Sequence, residues 1–325
     1  MAAPATTSRL IVILGPTAGG KSELAVALAQ RLPGGAEVIG ADSMQVYRGM
    51  DAGTAKPHPE LRAAVAHHLI DVVEPTQRFT VADWLALAEP IIDGLLAAGR
   101  WPIVVGGTNL YIKALLEGLF DAPEADPATR AALLQLTGRE LHDRLAAVDA
   151  AAAARIHVND TKKLVRALEV HELTGQPISA MQAQWRDAPD TYRRNPVLIG
   201  LDWPVDAINR RINARVKLMF FPAASGLTCE SLPDEVARLD AAGRLGTQAR
   251  EALGYKQVLQ AIAGQCSMDD AFEQTKIQTR RFAKRQRTWL KRFRGVHWLS
   301  VADDASGVDA AMVRHAAGVC MVKAG

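Results

Sequence analysis

Cysteine is scarce and scattered: Cys229, Cys266 and Cys320 are the three in the chain, and they lie far apart. No C-x-x-C pair exists, which excludes the usual zinc knuckle and the redox dithiol, and an odd set of dispersed thiols fits a reducing compartment. Long apolar runs are also missing. The longest early one, residues 10–14, falls far short of the about 20 residues that span a bilayer. Residues 1–8 have neither a basic lead nor an apolar centre, which argues against a secretory leader. No internal repeat is visible, and the formal net charge of +3 says little by itself about partners. The expectation is a soluble cytoplasmic protein with no membrane partner.

What the chain does have is a core. With 325 residues, 49% of them hydrophobic, it can bury one sizeable domain and a smaller second unit. Short runs of branched apolar residues at 10–14, 38–39, 103–105 and 197–201 end in glycine or polar turns and read as buried parallel strands. Helical spacing separates them, for example over residues 22–31. Thr80 with Asp83 forms the pattern of a capping box, opening a helix that runs towards Gly99 and bends near Pro90. Strands alternating with helices predict an α/β fold, a parallel sheet flanked by helices. After Gly118 the texture turns rich in Ala and Leu and poor in strand signal. We therefore read residues 1–122 as the first part of the core, 123–190 as a mainly helical insertion, and 191–325 as the completion of the core.

Gly15-Pro16-Thr17-Ala18-Gly19-Gly20-Lys21-Ser22 matches G-x-x-x-x-G-K-[ST], between a strand and a helix. Glycine lets the backbone wrap an oxyanion, and amides at the helix N-terminus point at it. Lys21 adds a positive charge, and the Ser22 hydroxyl is suited to Mg²⁺. The sequence thus calls for a diphosphate or triphosphate and a P-loop NTPase-like fold. It lacks the run of four apolar residues followed by Asp that an ordinary NTPase carries; the run at 103–105 ends in Gly-Gly-Thr instead.

Asp42 and Thr108 both follow short strands. Ligands of open α/β sheets bind beyond the carboxyl ends of the strands, so both can reach the mouth lined by the phosphate loop. There Asp42 can take a proton from a nucleophile or help hold Mg²⁺, or it can simply cap a turn. Thr108 equally suits a helix cap. Further on, nine Lys or Arg residues and no acid fall between Lys276 and Arg294, within a helix read at 271–294. Lys276, Arg280, Lys284, Arg287, Lys291 and Arg294 form one stripe, whereas Phe282, Trp289 and Phe293 lie on another side. Such a stripe is either a solvated face or a phosphate-backbone platform.

Taken in order, several blocks resemble the tRNA dimethylallyltransferase (tRNA isopentenyltransferase) family over roughly residues 10–299. They are the phosphate loop, Asp42-Ser43-Met44-Gln45-Val46-Tyr47, Gly53-Thr54-Ala55-Lys56-Pro57 and His67-His68-Leu69-Ile70-Asp71. Gly106-Gly107-Thr108-Asn109-Leu110-Tyr111, Arg166-Ala167-Leu168-Glu169-Val170, Gly254-Tyr255-Lys256-Gln257 and Ala283-Lys284-Arg285-Gln286-Arg287-Thr288-Trp289 follow. The resemblance implies transfer of a dimethylallyl group from dimethylallyl diphosphate to the N6 amine of the adenosine 3′ of the anticodon, with Mg²⁺ as cofactor. It makes Asp42 the base and places Arg215 near the diphosphate and Thr108 near the reacting adenosine. It implies contacts of the extruded base with Asp42, Ser43, Met44 and Gln45. Anticodon-arm contacts would fall on Arg130, on Lys162, Lys163, Leu164, Val165 and Arg166, and on Glu251, Ala252, Leu253, Gly254, Tyr255 and Lys256. The last group would be Lys284, Arg285, Gln286, Arg287, Thr288, Trp289, Leu290 and Lys291.

The partners implied are the tRNA anticodon stem-loop and dimethylallyl diphosphate, with the protein acting as a monomer. Against the family pattern, Gly19 replaces a usual serine, Lys162-Lys163 stand where arginine is common, and several residues are inserted after Phe220. Three other readings share the phosphate loop: an isopentenyltransferase acting on free adenine nucleotides, a small-molecule kinase, and a non-catalytic RNA-binding module.

Overall fold

A computed structural model describes residues 9–120, 122–182, 192–302 and 307–324. Residues 1–8 and the 190/191 boundary of the expected insertion lie outside the described residues. The chain divides into two compact units, one of residues 1–116 and 194–325 and one of 117–193.

In the first unit, β1 (Ile11–Leu14) is Ile-Val-Ile-Leu with every side chain buried, a strand covered on both faces. It leads into α1 (Lys21–Ala29) and β2 (Ala36–Gly40). There follow α2 (Pro59–Ala64), the two-residue β3 (His67–His68), α3 (Val81–Ala97), β4 (Trp101–Val105) and α4 (Asn109–Glu117). Thr80 and Asp83 do form a capping box at α3: Thr80 Oγ1 accepts from the Asp83 amide, and Asp83 Oδ2 accepts from the Thr80 amide at 2.8 Å. The helix is continuous through Pro90.

The second unit carries α5 (Pro127–Leu133), α6 (Gly138–Val148), α7 (Ala150–Ala153), α8 (Thr161–Thr174) and α9 (Ile178–Met181). Its core is aliphatic, centred on Leu141, Leu145, Leu164, Leu168 and Ile178. One wholly buried carboxylate, Glu169 on α8, ties the unit together. It accepts from the Asp126 amide at 2.9 Å, from Arg130 Nε at 2.8 Å and Nη2 at 3.0 Å, and from Arg166 Nη1 at 2.6 Å.

The chain then returns to the first unit through β5 (Val197–Asp202) and α10 (Val205–Phe220). It continues with α11 (Leu232–Ala241), α12 (Thr247–Arg250), α13 (Tyr255–Ile262), α14 (Met268–Leu290), β6 (Val296–Ser300) and α15 (Ala310–Ala324). Among the described residues, the strands form one six-stranded sheet in the order β3-β2-β4-β1-β5-β6. All its pairings are parallel, as expected of a P-loop-type α/β core. No helix among the described residues is long and apolar enough to cross a membrane.

Two strands escape the sequence reading. β3 has two residues, too short to show a period. β6 is hidden because the basic run reads as one helix to Arg294; instead α14 stops at Leu290, Phe293 turns inward, and Gly295 at φ 65° redirects the chain into the sheet. The start of α14 also lies earlier than read, at a capping box formed by Ser267 and Asp270.

Candidate active site

The strand order brings three loops together. β2, β4 and β1 are neighbours, and their carboxyl ends carry Asp42, Thr108 and the phosphate loop in turn. With strands about 4.8 Å apart, Asp42 is held two strands, about 10 Å, from the phosphate loop. The exits of β2 and β4 approach so closely that a Cβ on Gly106 would lie 2.0 Å from the Ala41 carbonyl oxygen, a position open to glycine alone.

The phosphate loop is wrapped by its own neighbours. Ala18 at φ 60° and Gly20 at φ 82° occupy the left-handed region and turn the backbone. Its carbonyls are occupied: Lys21 Nζ donates to Pro16 O at 2.8 Å, Arg211 Nε to Ala18 O at 2.8 Å and Trp203 Nε1 to Gly19 O at 3.0 Å. Arg215 Nη1 donates to Thr17 Oγ1 at 3.1 Å. Arg211 and Arg215 sit one turn apart on α10, so one helix face delivers both guanidinium groups. Arg215 is the arginine that the resemblance implies; Arg211 was missed, although its spacing of four from Arg215 is visible in the sequence.

Residues 17–21, Arg211 and Arg215 line a cavity of about 480 Å³, which also takes in Ser22, Glu23, Asp42, Gln45, Gly107 and Gln286. Val38, Leu61, Ile70 and Val105 provide an apolar wall. Lys21, Arg211 and Arg215 bring three cations to the phosphate-loop side of the cavity. Burial lowers the Lys21 ammonium to about 8, with Asp42 pulling it back up and Arg215 pushing it further down. Burial likewise lowers Arg215, and Asp42 again opposes the shift. The site therefore favours an anion, which would stabilise both cations.

Asp42 is anchored through one oxygen: Oδ1 accepts from the Met44 amide at 2.9 Å and from the Gln45 amide at 3.4 Å. This is the capping turn the sequence allows, but it uses Oδ1 and keeps the carboxylate on the cavity wall. Thr108 Oγ1 accepts from the Ser43 amide at 2.9 Å and donates to Ser43 Oγ at 3.2 Å, so the β4 exit fixes the segment beside Asp42. Gln45 Nε2 donates to Thr54 O and Ala55 O on the opposite rim.

That rim is held from behind. Lys56, its side chain 5% exposed, gives its ammonium to Tyr47 O, Asp51 Oδ1 and Asp71 Oδ1, three acceptors for three protons. Buried Glu235 accepts from the Asp51 and Ala52 amides at 2.8 and 2.9 Å and from the Tyr255 hydroxyl. Burial raises the Glu235 carboxyl above its ordinary value, against the pull of these donors. Neither support was foreseen: Glu235 lies 184 positions from Asp51 in sequence, and the Lys56 contacts, though local, follow no helical or strand spacing.

Comparison with known proteins agrees with this geometry. The model of the IPP transferase family matches residues 45–293, and that of the isopentenyl transferase family matches residues 8–71. The chain belongs to the IPP transferase family. A tRNA dimethylallyltransferase of Geobacter sulfurreducens is 47% identical over 297 residues, covering 90% of this chain and 92% of that protein. One from Streptomyces coelicolor is 47% identical over 302 residues, with 91% and 92% covered. Among solved structures, a tRNA isopentenylpyrophosphate transferase from Bacillus halodurans is 37% identical, with a TM-score of 0.68 over 97% of this chain and 98% of that one.

For a family member, the remaining expected contacts range from exposed to buried, with Leu253, Arg287 and Trp289 half-buried. Lys162, Lys163, Glu251, Lys256, Lys284, Arg285, Thr288 and Lys291 are exposed. Leu164, Val165, Ala252, Tyr255, Gln286 and Leu290 are buried, and Gln286 lies on the cavity wall. Gly254, at φ 89°, is buried at the start of α13. Arg130 and Arg166 are half-buried on Glu169. The basic stripe also splits: Arg280 turns inward to Asn213 Oδ1 at 2.7 Å, and Lys276 pairs with Glu273 at 2.5 Å, whereas Lys284 and Lys291 remain on the outside. Of the three aromatics read as one side, Phe293 is buried beyond the end of α14, Trp289 is half-buried, and Phe282 lines the cavity.

Proposed function

We propose that this protein transfers a dimethylallyl group from dimethylallyl diphosphate to the N6 amine of the adenosine 3′ of the anticodon in tRNA, releasing diphosphate. The observation that carries the reading is that Lys21, Arg215 and Asp42 all line one and the same cavity. Attack by the amine forms the nitrogen–carbon bond at the first carbon of the donor. The carbon–oxygen bond breaks, its electron pair leaves with the diphosphate, and the surplus amine proton passes to the Asp42 carboxylate. Charge gathers on the diphosphate as it departs, where preformed amides, Lys21 and Arg215 stabilise it without reorganising. Arg211 occupies the Ala18 carbonyl of the loop, and the apolar wall of Val38, Leu61, Ile70 and Val105 suits the isoprenoid tail.

Magnesium fits the donor set. The Ser22 hydroxyl and the Asp42 carboxylate share the cavity, and Mg²⁺ on phosphate substrates commonly takes one or two protein oxygens and fills its shell from phosphate and water. Ser22 would hold the ion, which when bound neutralises part of the diphosphate charge.

The target base must leave its stack to reach the cavity, so the exposed residues Lys284, Arg285 and Lys291 serve the anticodon stem-loop through its phosphates. The protein acts as a monomer in the cytoplasm, where its tRNA substrate resides. Incubation with radiolabelled dimethylallyl diphosphate, Mg²⁺ and either tRNA or AMP tests the reading. Label is expected in a prenylated adenosine of tRNA; label in AMP alone, or phosphate release from ATP that needs no prenyl donor, would replace it.

A further inference from the structure

Gln286 belongs to the basic helix α14, yet its side chain points away from the charged face and is 3% exposed. Its Oε1 accepts from the Thr17 amide in the phosphate loop at 2.8 Å. Its Nε2 donates to the Gly107 carbonyl at 2.8 Å, in the turn that precedes Thr108. One amide group thus joins two loops on neighbouring strands, β1 and β4.

Both loops carry chemistry. Thr17 also receives Arg215 through its hydroxyl. On the other side, a Cβ placed on Gly107 would lie 2.9 Å from Gln286 Nε2 and 3.3 Å from Asp42 Oδ2, so the bridge runs along the carboxylate. The two bonds need a donor and an acceptor at the end of one chain of fixed length. Glutamine supplies both; a carboxylate would set oxygen against the Gly107 carbonyl, and a shorter amide would not reach both partners.

We propose that Gln286 is a positioning residue for the transfer reaction, setting the separation between the phosphate loop with Arg215 and the turn that supports Asp42 and Thr108. This rests on the reaction proposed above. A bimolecular displacement depends steeply on the placement of its reacting groups, and a misplacement of about 1 Å can lower the rate about 100-fold. A buried bridge between the two halves of the site is where such placement is controlled. The assignment differs from an RNA contact, the role that the resemblance implies for this position, and the two roles separate in kinetics.

The test is steady-state transfer by wild type, Gln286→Glu and Gln286→Met, with dimethylallyl diphosphate, Mg²⁺ and an unmodified tRNA transcript, each assayed well below its measured melting temperature. Met keeps the length and removes both hydrogen bonds; Glu keeps an acceptor and removes the donor. The expected result is a fall in kcat of about tenfold or more in both variants, with KM for tRNA within about threefold of wild type. The inference is overturned if either folded variant keeps kcat within about threefold, or if a raised KM for tRNA accounts for the loss. If wild type itself prenylates no tRNA, the proposed reaction fails instead and takes this inference with it.

Discussion

Lys21 and Asp42 stand at the ends of strands two places apart in the sheet, and the Asp42 carboxylate acts on the Lys21 ammonium across one cavity. Asp42 is the largest influence holding the Lys21 proton in place against the burial that lowers the ammonium to about 8. The free site is therefore short of negative charge, and the donor diphosphate is the group that supplies it.

A pH dependence follows for donor binding. An anion beside Lys21 favours the protonated form, so the ammonium of the complex titrates above that of the free protein, at about 8. Affinity for dimethylallyl diphosphate is expected to be constant below that value and to fall as pH rises through it, with proton uptake on binding near pH 8. Calorimetry in buffers of different ionisation enthalpy measures that uptake, and Lys21→Met abolishes it.

The exposed charge on α14 predicts a salt effect. Lys284 and Lys291 are exposed, and each phosphate contact contributes about 0.7 to 0.9 to the slope of log K against log salt. Replacing both with glutamine is expected to lower the tRNA-binding slope by about 1.5 while leaving kcat at saturating tRNA close to wild type. Arg280→Gln, which removes an inward bond to Asn213, is expected to act on melting temperature and not on the salt slope.

The rim of the cavity hangs on a buried phenol. Tyr255→Phe leaves one Glu235 oxygen without its donor in a buried site, which costs about 1–3 kcal/mol. Thermal melting reads this loss. Gly53→Ala is expected to be worse, because the added methyl would meet the Tyr255 ring at 2.4 Å.

Glu169 makes a distinct prediction for the second unit. Burial raises its carboxyl, but the hydrogen bonds from Arg130 and Arg166 outweigh that and hold it below the ordinary glutamate range. A carboxyl so lowered stabilises the fold above its unfolded value and loses that contribution as pH falls through its folded value. Glu169→Ala leaves two half-buried guanidinium groups without their shared partner, at about 3 kcal/mol. Limited proteolysis of residues 117–193 at neutral pH, with wild type compared at acid pH, checks both statements.

The parts of the site that were legible in sequence are local. The phosphate loop spells out its own conformation within eight residues, and the short apolar runs at β1, β2, β4 and β5 mark the strand ends where Asp42 and Thr108 sit. The capping box at Thr80 and Asp83 is likewise contained in four residues. What was hidden depends on contacts between distant segments. Glu235 against residue 51, and Gln286 against Thr17, carry no spacing that a linear pattern can show. Gln286 shows the difference most clearly: its neighbours Arg285 and Arg287 identify a basic helix, but the direction of one residue on that helix is set by the packing of α14 on the sheet. Spacing did contain Arg211, four residues before Arg215, and the inward turn of Arg280 lay beyond it because Asn213 belongs to another helix.

The most direct test of the account is single-turnover prenyl transfer by Asp42→Asn, measured beside its affinities for tRNA and for dimethylallyl diphosphate. The account predicts a rate lowered about 100- to 10,000-fold, with both substrates still bound at close to wild-type affinity. Transfer at the wild-type rate by a folded Asp42→Asn protein would contradict it.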